Sequence, residues 1–331
     1  MPFRIKVSLI ILALLLTLAV VLPLVLPVGP PQGVRPLSEV AGPDAQYVEV
    51  AGIDLHVRRW GSGAAQGAAP GPVRTFLLLH GFPYSTHSFD GLAPLLTQLG
   101  DVVAVDMPGF GLSERPDPDD PALDLDPYAA ESQPELVAIL LEEMGVDEVV
   151  LVGHGHGARV GIDTALTHPD LVSGLVTIGA SPFEIRQRSW LSRVVMSTPQ
   201  MRRLGPVLLR QLAGDPGKRL LWAGWYDPTA ITPEQEAAFF EPFTVEGWDV
   251  ALWHLSQADA PADLEGRLGA VRAPVLVVAG EEDGVVPTDR SRRLVAELPD
   301  ASLVLVPQCG HAVQEECPEE LAAAVSTWLE E

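Results

Sequence analysis

The chain is poor in three things, and each shortage excludes something. Only two cysteines, Cys309 and Cys317, occur in 331 residues, too few for a disulfide framework or a four-thiolate zinc site. Basic side chains are scarce: 21 Lys and Arg face 44 Asp and Glu, a formal net charge of -23. A surface that negative repels phosphate backbones, so no nucleic-acid partner is expected. It also disfavours a broadly anionic substrate unless a local patch offsets it. Charge is missing altogether between Val7 and Val28, and no acidic residue precedes Glu39. Apolar residues are not in short supply. They make up 47% of the chain and charged residues 20%, a balance for a globular chain with a sizeable core rather than a disordered one. The length exceeds the usual single domain but suits one large α/β domain carrying an insertion.

The uncharged run has the reach of a membrane span, since a helix rises about 1.5 Å per residue against a hydrocarbon core of roughly 30 Å. Arg4 and Lys6 precede it, so the positive-inside rule keeps the N-terminus cytoplasmic and carries the bulk of the chain across. Residues 1–28 therefore read as an uncleaved signal anchor, a single transmembrane helix in the cell membrane with the domain outside. A cleaved signal peptide, leaving a secreted domain, begins in the same way, but no A-x-A-like site follows Pro23 and Pro27. No second span follows, which excludes a multi-pass transporter. In an exported domain Cys309 and Cys317 are free to pair. Two buried thiols beside one loop is the preferred reading, and spacing alone leaves both open.

Residues 29–46 are rich in Pro and Gly and read as a linker. Tyr47–Trp60 alternates like a hairpin with Ala51-Gly52 at its turn. Gly61–Pro72 is a loop of small residues. Six short apolar runs then follow, beginning at Thr75, Val102, Val149, Leu175, Val275 and Ser302. Separated by helix-length segments such as Pro134–Met144 and Pro318–Leu329, they predict buried parallel strands with crossover helices. The alternation stops over residues 181–273, which read as a helical cap between two halves of a core, 47–180 and 274–331. This insertion holds Trp190, Trp222, Trp225, Trp248 and Trp253, five of the chain's seven tryptophans. Insertions at that place lie over the carboxyl ends of the strands, where ligands bind. Trp190, Trp222 and Trp225 are candidate walls of an apolar ligand site; the insertion's own core is the equal alternative. Ile185–Gly214 carries Arg186, Arg188, Arg193, Arg202, Arg203 and Arg210 and no acid. A solvated face balancing acidic neighbours is the plainer explanation, and anionic headgroups beside the anchor are the other.

The chemistry gathers at strand ends. Leu151-Val-Gly-His-Gly155-His156-Gly157-Ala158 runs a strand through a Gly-flanked turn into a helix, the form of a nucleophile elbow. Asp283 follows a later strand and His311 the last one, in the order elbow, acid, histidine. His80-Gly81-Phe82-Pro83 ends a strand where an oxyanion N–H is expected. Asp106-Met-Pro-Gly-Phe-Gly-Leu-Ser113 supplies a further loop. Together these motifs, spanning about residues 47 to 331, resemble the α/β-hydrolase fold family. The resemblance implies a mostly parallel α/β-hydrolase sheet flanked by helices, with a helical cap insertion beyond the N-terminal transmembrane helix. It implies hydrolysis of a small-molecule substrate without a cofactor. It also implies Asp283 and His311 as acid and base, and the N–H groups of Phe82 and His156 as the oxyanion site. The elbow wording is similar to the epoxide hydrolase and dehalogenase branch, which carries Asp as nucleophile, and to ester and C–C bond hydrolases, which carry Ser.

This sequence has Gly155 at that position and so lacks the attacking atom of the family's covalent route. Gly tolerates the strained elbow angles that cost other residues about 1–3 kcal/mol. It also leaves space above the turn for a water that His311 could activate. No neighbour replaces the nucleophile well. His154 and His156, at i and i+2 with no third ligand, do not make a metal site; Ser113, Asp106 and Ser181 are placed to cap or turn. An epoxide substrate is disfavoured, because that branch opens the ring with two tyrosines from the insertion and only Tyr226 lies there. The expectation is a membrane-anchored hydrolase of a small ester-like or apolar substrate, working through His-Asp activated water. The alternatives are a non-catalytic relative binding a small apolar ligand under the cap, and a scaffold.

Overall fold

A computed structural model describes residues 10–11, 15, 17–18, 20–61, 74–183, 189–258 and 264–331. Arg4, Lys6, Arg186, Arg188, residues 62–72 of the small-residue loop and much of the apolar run lie outside the described residues. In that run, residues 10–11, 15, 17–18 and 20–25 are helical. Among the described residues no helix is long and apolar enough to cross a membrane.

An eight-stranded sheet forms the centre, in the order β1-β2-β4-β3-β5-β6-β7-β8. β1 (Gln46–Val50) and β2 (Ile53–Trp60) are the expected hairpin. Its turn residues Ala51 and Gly52 both have positive φ, 51° and 80°, the primed geometry that suits the right-handed twist of paired strands. β2 pairs antiparallel with β4 (Asp101–Val105). β3 (Thr75–Leu79), β5 (Val149–His154), β6 (Val172–Ile178), β7 (Val275–Gly280) and β8 (Ala301–Val306) complete a parallel array with it. The strands read as continuous apolar runs because both faces are covered. Leu77 and Leu79 point into one core and Phe76 and Leu78 into the other, as the period of two requires.

Helices α1 (Ser132–Glu143) and α2 (His156–Thr167) pack on the first face. α1 buries Gln133, Leu136, Val137, Leu140 and Leu141, a stripe at helical spacing. The cap contains α3 (Trp190–Met196), α4 (Pro199–Leu209), α5 (Asp215–Ala223), α6 (Pro233–Phe240) and α7 (Trp248–Gln257), and no strand among the described residues. α8 (Thr288–Glu297) returns to the first face, and α9 (Pro318–Trp328) buries Leu321 and Val325 on the second.

Two expectations need correction. Residues 29–46 do more than link: Leu37–Ala41 is a short helix, and Arg35 pairs with the cap, its N–H donating to the Thr244 carbonyl (2.8 Å) and its carbonyl accepting from Glu246 (2.9 Å). Cys309 and Cys317 are not two separate thiols but a disulfide, with their Cα atoms 6.3 Å apart. It closes the loop that carries His311, which sequence spacing could not show because the intervening turn sets the approach.

Candidate active site

The elbow is built by close packing. Gly155 joins β5 to α2 with φ 51° and ψ -106°, a conformation that only Gly adopts readily. Its neighbours are glycine for steric reasons. A β-carbon on Gly157 would stand 2.1 Å from the Leu79 carbonyl oxygen, and one on Gly153 would stand 2.5 Å from the Ala158 backbone. Strand, turn and helix therefore close tightly enough to lift residue 155 into the space above β5.

Asp283 and His311 meet over that space. The Asp283 side chain is sealed from solvent and its Oδ2 lies 2.9 Å from His311 Nδ1. The other carboxylate oxygen accepts from the Val285 and Val286 N–H groups at 2.8 and 2.7 Å, so the acid is fixed on both sides. With Nδ1–H held by a carboxylate, Nε2 is left as the acceptor. It lies 3.6 Å from the position of a β-carbon on Gly155. Gly179, at the end of β6, clears the way: a β-carbon there would stand 2.7 Å from the His311 ring.

The supporting residues give little away in sequence. Glu316 accepts from three backbone N–H groups, Gly310 (2.7 Å), Tyr226 (3.0 Å) and Asp227 (2.9 Å). The Ala312 N–H donates to the Gly224 carbonyl at 2.8 Å. The cap is thereby bound to the loop that presents His311. A Glu two residues before a helix carries no signal of that role. His154 lies under the turn, 1% exposed, its ring centroid 4.7 Å from that of His311 and 5.3 Å from that of Tyr84. Burial, then the neighbouring His311, hold its pKa well below the usual histidine value, so no second imidazolium forms beside His311. Tyr84 is pushed well above the ordinary phenol value by burial, then by the Glu315, Asp283 and Glu316 carboxylates.

His156 begins α2, where the N–H has no partner within the helix, and Phe82 follows Gly81 in the loop after β3. Both border a cavity of about 330 Å³ that also touches Tyr128, Gln133, Arg159, Leu209, Leu252 and Leu255. The His156 imidazole is lowered to about 4, by burial first and then by Arg159 and His80; it is neutral near pH 7. Neither His154 nor His156 shares a metal-binding cluster with a third ligand among the described residues.

Other residues singled out from sequence do structural work. Asp106 binds the Thr86 and Leu112 N–H groups and His56 Nδ1 at 2.7, 3.0 and 2.8 Å. Burial alone would raise its carboxyl, but the His56 bond, the His80 and His56 charges and the Leu112 N–H outweigh that and hold it below the usual range. Ser113 donates to the Asp106 carbonyl and accepts from the His56 N–H. His80 bridges the Gly81 carbonyl and the Met107 N–H. Ser181, two residues beyond Gly179, is half-buried. The three candidate tryptophans do not line the cavity. Trp190 is 73% exposed and Trp222 is exposed beside Lys218, one turn away on α5. Trp225 is buried with its Nε1–H donating to Glu315 at 3.3 Å. The apolar wall comes from leucines of α4 and α7, because the cap helices turn those faces inward. Tyr226, 49% exposed, lies over the His311 loop through its backbone.

Sheet order, elbow and the paired acid and histidine define an α/β hydrolase. A family model described as "Alpha/beta hydrolase family" matches residues 76–324, and the chain belongs to that family. It is similar to the uncharacterized hydrolase YugF of Bacillus subtilis (strain 168), 29% identical over 77% of this chain and 90% of that protein. The 2-hydroxy-6-oxo-6-phenylhexa-2,4-dienoate hydrolase of Burkholderia cepacia is 26% identical over 68% and 76%. Among solved structures, the meta-cleavage product hydrolase of Pseudomonas fluorescens IP01 aligns with TM-score 0.64 at 21% identity, covering 86% of this chain and 97% of that one. A membrane phospholipase A described as a bacterial virulence factor aligns with TM-score 0.64 at 24% identity, covering 99% and 98%. These two likenesses show the fold.

Proposed function

We propose that the protein is a membrane-anchored hydrolase of a small ester-like or apolar substrate in which His311 activates water directly. The observation that carries this reading is the Asp283–His311 pair directed at Gly155, where the family's attacking side chain is missing. Water over Gly155 donates to His311 Nε2. As it attacks a carbonyl, its proton passes to Nε2 and the imidazolium is stabilised by Asp283. Negative charge develops on the carbonyl oxygen toward the N–H groups of Phe82 and His156, with the N-terminus of α2 favouring it. Without a covalent intermediate the barrier is not divided, so turnover is slow. A protease that has lost members of its triad still runs about 10³–10⁴-fold above the uncatalysed reaction, which sets the scale.

The relatives named as dienoate and other hydrolases support a small-molecule substrate. The apolar run at residues 7–28 supports an anchor, with the domain outside the cell membrane. The test is turnover of activated short-chain esters by the full chain and by His311→Ala. Loss of about 10²-fold or more is expected for a general base; equal turnover, or none in the wild type, overturns the reading.

One observation favours a second reading, a non-catalytic binder. The cavity has an apolar side of Leu209, Leu252 and Leu255, and no attacking side chain stands at the elbow. Thermal shifts with small apolar compounds, lost in Leu252→Asp, together with absent ester turnover would select it.

A further inference from the structure

The cap carries an apolar surface with nothing upon it. No residue of α3 is buried, although its sequence is Trp-Leu-Ser-Arg-Val-Val-Met. Trp190, Leu191, Val194 and Val195 are 73, 55, 55 and 47% exposed. Leu208, near the end of α4, is 57% exposed. A helix this short is marginal in water, and burial of an apolar face is what normally holds one. Here the face that should be buried points outward.

The neighbour of this surface identifies its occupant. α4 runs beside the end of the N-terminal helical segment. Gln200 Nε2 donates to the Val20 carbonyl (3.1 Å), Arg203 to Leu26 (2.7 Å) and Arg210 to Gly29 (2.8 Å). The large apolar side chains described in that segment, from Ile10 to Leu26, are themselves exposed. Both unburied apolar surfaces adjoin α4. Exposed apolar side chains gathered in this way mark a protein or membrane contact. The charge pattern favours lipid. From Ser189 to Gly214 the chain has Arg193, Arg202, Arg203 and Arg210 and no acid, within a protein of net charge -23; Arg210 is paired with Asp249 of α7 at 2.8 Å. Arginines without acids and a tryptophan among aliphatic side chains are the composition of a segment lying at an anionic headgroup layer.

We propose that α3 and the Leu208 end of α4 lie in the lipid–water interface of an anionic bilayer, the same bilayer that the N-terminal segment enters. The cap then sits on the membrane instead of hanging beyond it on a linker. Leu209, next to Leu208, lines the cavity beside Phe82 and His156, so docking sets one wall of that cavity a residue away from lipid. This suits a substrate or ligand dissolved in the bilayer. The inference rests on the anchored reading above.

The test uses the full chain with Val194→Cys, spin-labelled and reconstituted into phosphatidylcholine–phosphatidylglycerol vesicles. Cys309 and Cys317 are bonded to each other, so position 194 offers the single free thiol. Glu49→Cys, exposed on β1, is the water reference. The expected result is oxygen access at residue 194 severalfold above that of a water-soluble nickel complex, with the reverse at residue 49. Vesicles that float with the protein but show residue 194 as open to nickel as residue 49 overturn the docking and leave the anchor standing. A label closed to both probes, with spin–spin broadening, shows a second copy on the surface and overturns it too. Protein that fails to float overturns anchor and docking together.

Discussion

His311 Nε2 and the place of a missing β-carbon on Gly155 are 3.6 Å apart, and the Gly81 Cα bounds the same point at 3.9 Å. Both are ordinary contact distances, so residue 155 has room for a side chain. Gly155→Ser restores the atom that the family uses. It is expected to gain hydrolysis of activated esters and covalent labelling by a fluorophosphonate, both lost again in Gly155→Ser with His311→Ala. The positive φ sets a cost of about 1–3 kcal/mol, read as a lower urea midpoint. A folded variant that is never labelled would show that His311 or the N–H groups of Phe82 and His156 are out of line for that chemistry.

Gly157 is a steric requirement of the same turn. Gly157→Ala forces a β-carbon to 2.1 Å from the Leu79 carbonyl oxygen, and α2 must lift from β3. A loss of about 2 kcal/mol or more is expected by chemical denaturation. Gly145→Ala is the control: its φ of 66° is positive, unlike that of helical Gly157, but nothing lies within 4 Å, so a backbone cost of about 1 kcal/mol is expected. Equal losses at the two positions would remove the packing argument.

His87 joins the core to the cap, with Nδ1 3.1 Å from Asp90 and Nε2 3.3 Å from Glu241. Hydrogen bonds to Asp90 and then Glu241 raise its pKa from 6.5 to about 9. A raised value means that the charged form is favoured in the folded state. Its contribution is complete below about pH 6.5 and disappears as pH climbs through about 9. The pair partners are partly exposed, so the effect is small, about 1 kcal/mol or less. His87→Phe should lower Tm at pH 6 and match the wild type at pH 10. A deficit unchanged across that range would mean that packing, not charge, is what the substitution removes.

Glu315 behaves in the opposite sense to an ordinary carboxylate. Burial raises it from 4.5 to about 8, with the Trp225 bond acting downward and Asp90 upward. The unfolded chain releases this proton near pH 4.5 and the folded chain only near pH 8. Stability is therefore lost as pH rises between those values and levels off above them. Glu315→Gln keeps an acceptor for Trp225 and removes the charge. Its Tm advantage over the wild type should be absent at pH 4 and largest at pH 8; parallel melting curves would refute the assignment.

Much of the frame was legible along the chain. The apolar runs at Thr75, Val149 and Val275 are strands because a parallel sheet covered on both faces leaves no polar alternation to obscure them. Gly153, Gly155 and Gly157 betrayed a turn where backbone meets backbone. Asp283 and His311 stood out because each follows a strand, and strand ends converge on one edge of such a sheet. Glu316 and Tyr84 were silent. Their roles depend on which backbone groups and rings the fold brings to them from Tyr226 and His154. The tryptophans misled for a related reason: composition shows that the cap is aromatic, but only helix orientation shows that Trp190 and Trp222 face outward while Leu209 and Leu252 face in.

What the sequence settled alone is local and periodic: strand runs, the glycine turn, the absence of a nucleophile at residue 155 and the order of acid and histidine. What needed the tertiary structure is every relationship across the chain: the 2.9 Å approach of Asp283 to His311, the closure of Cys309 on Cys317, and the cavity between α2, α4 and α7. Periodicity is a property of neighbouring residues and survives in a list of letters. Distance between remote residues is set by how the two faces of the sheet are packed, and no stretch of the chain contains that by itself.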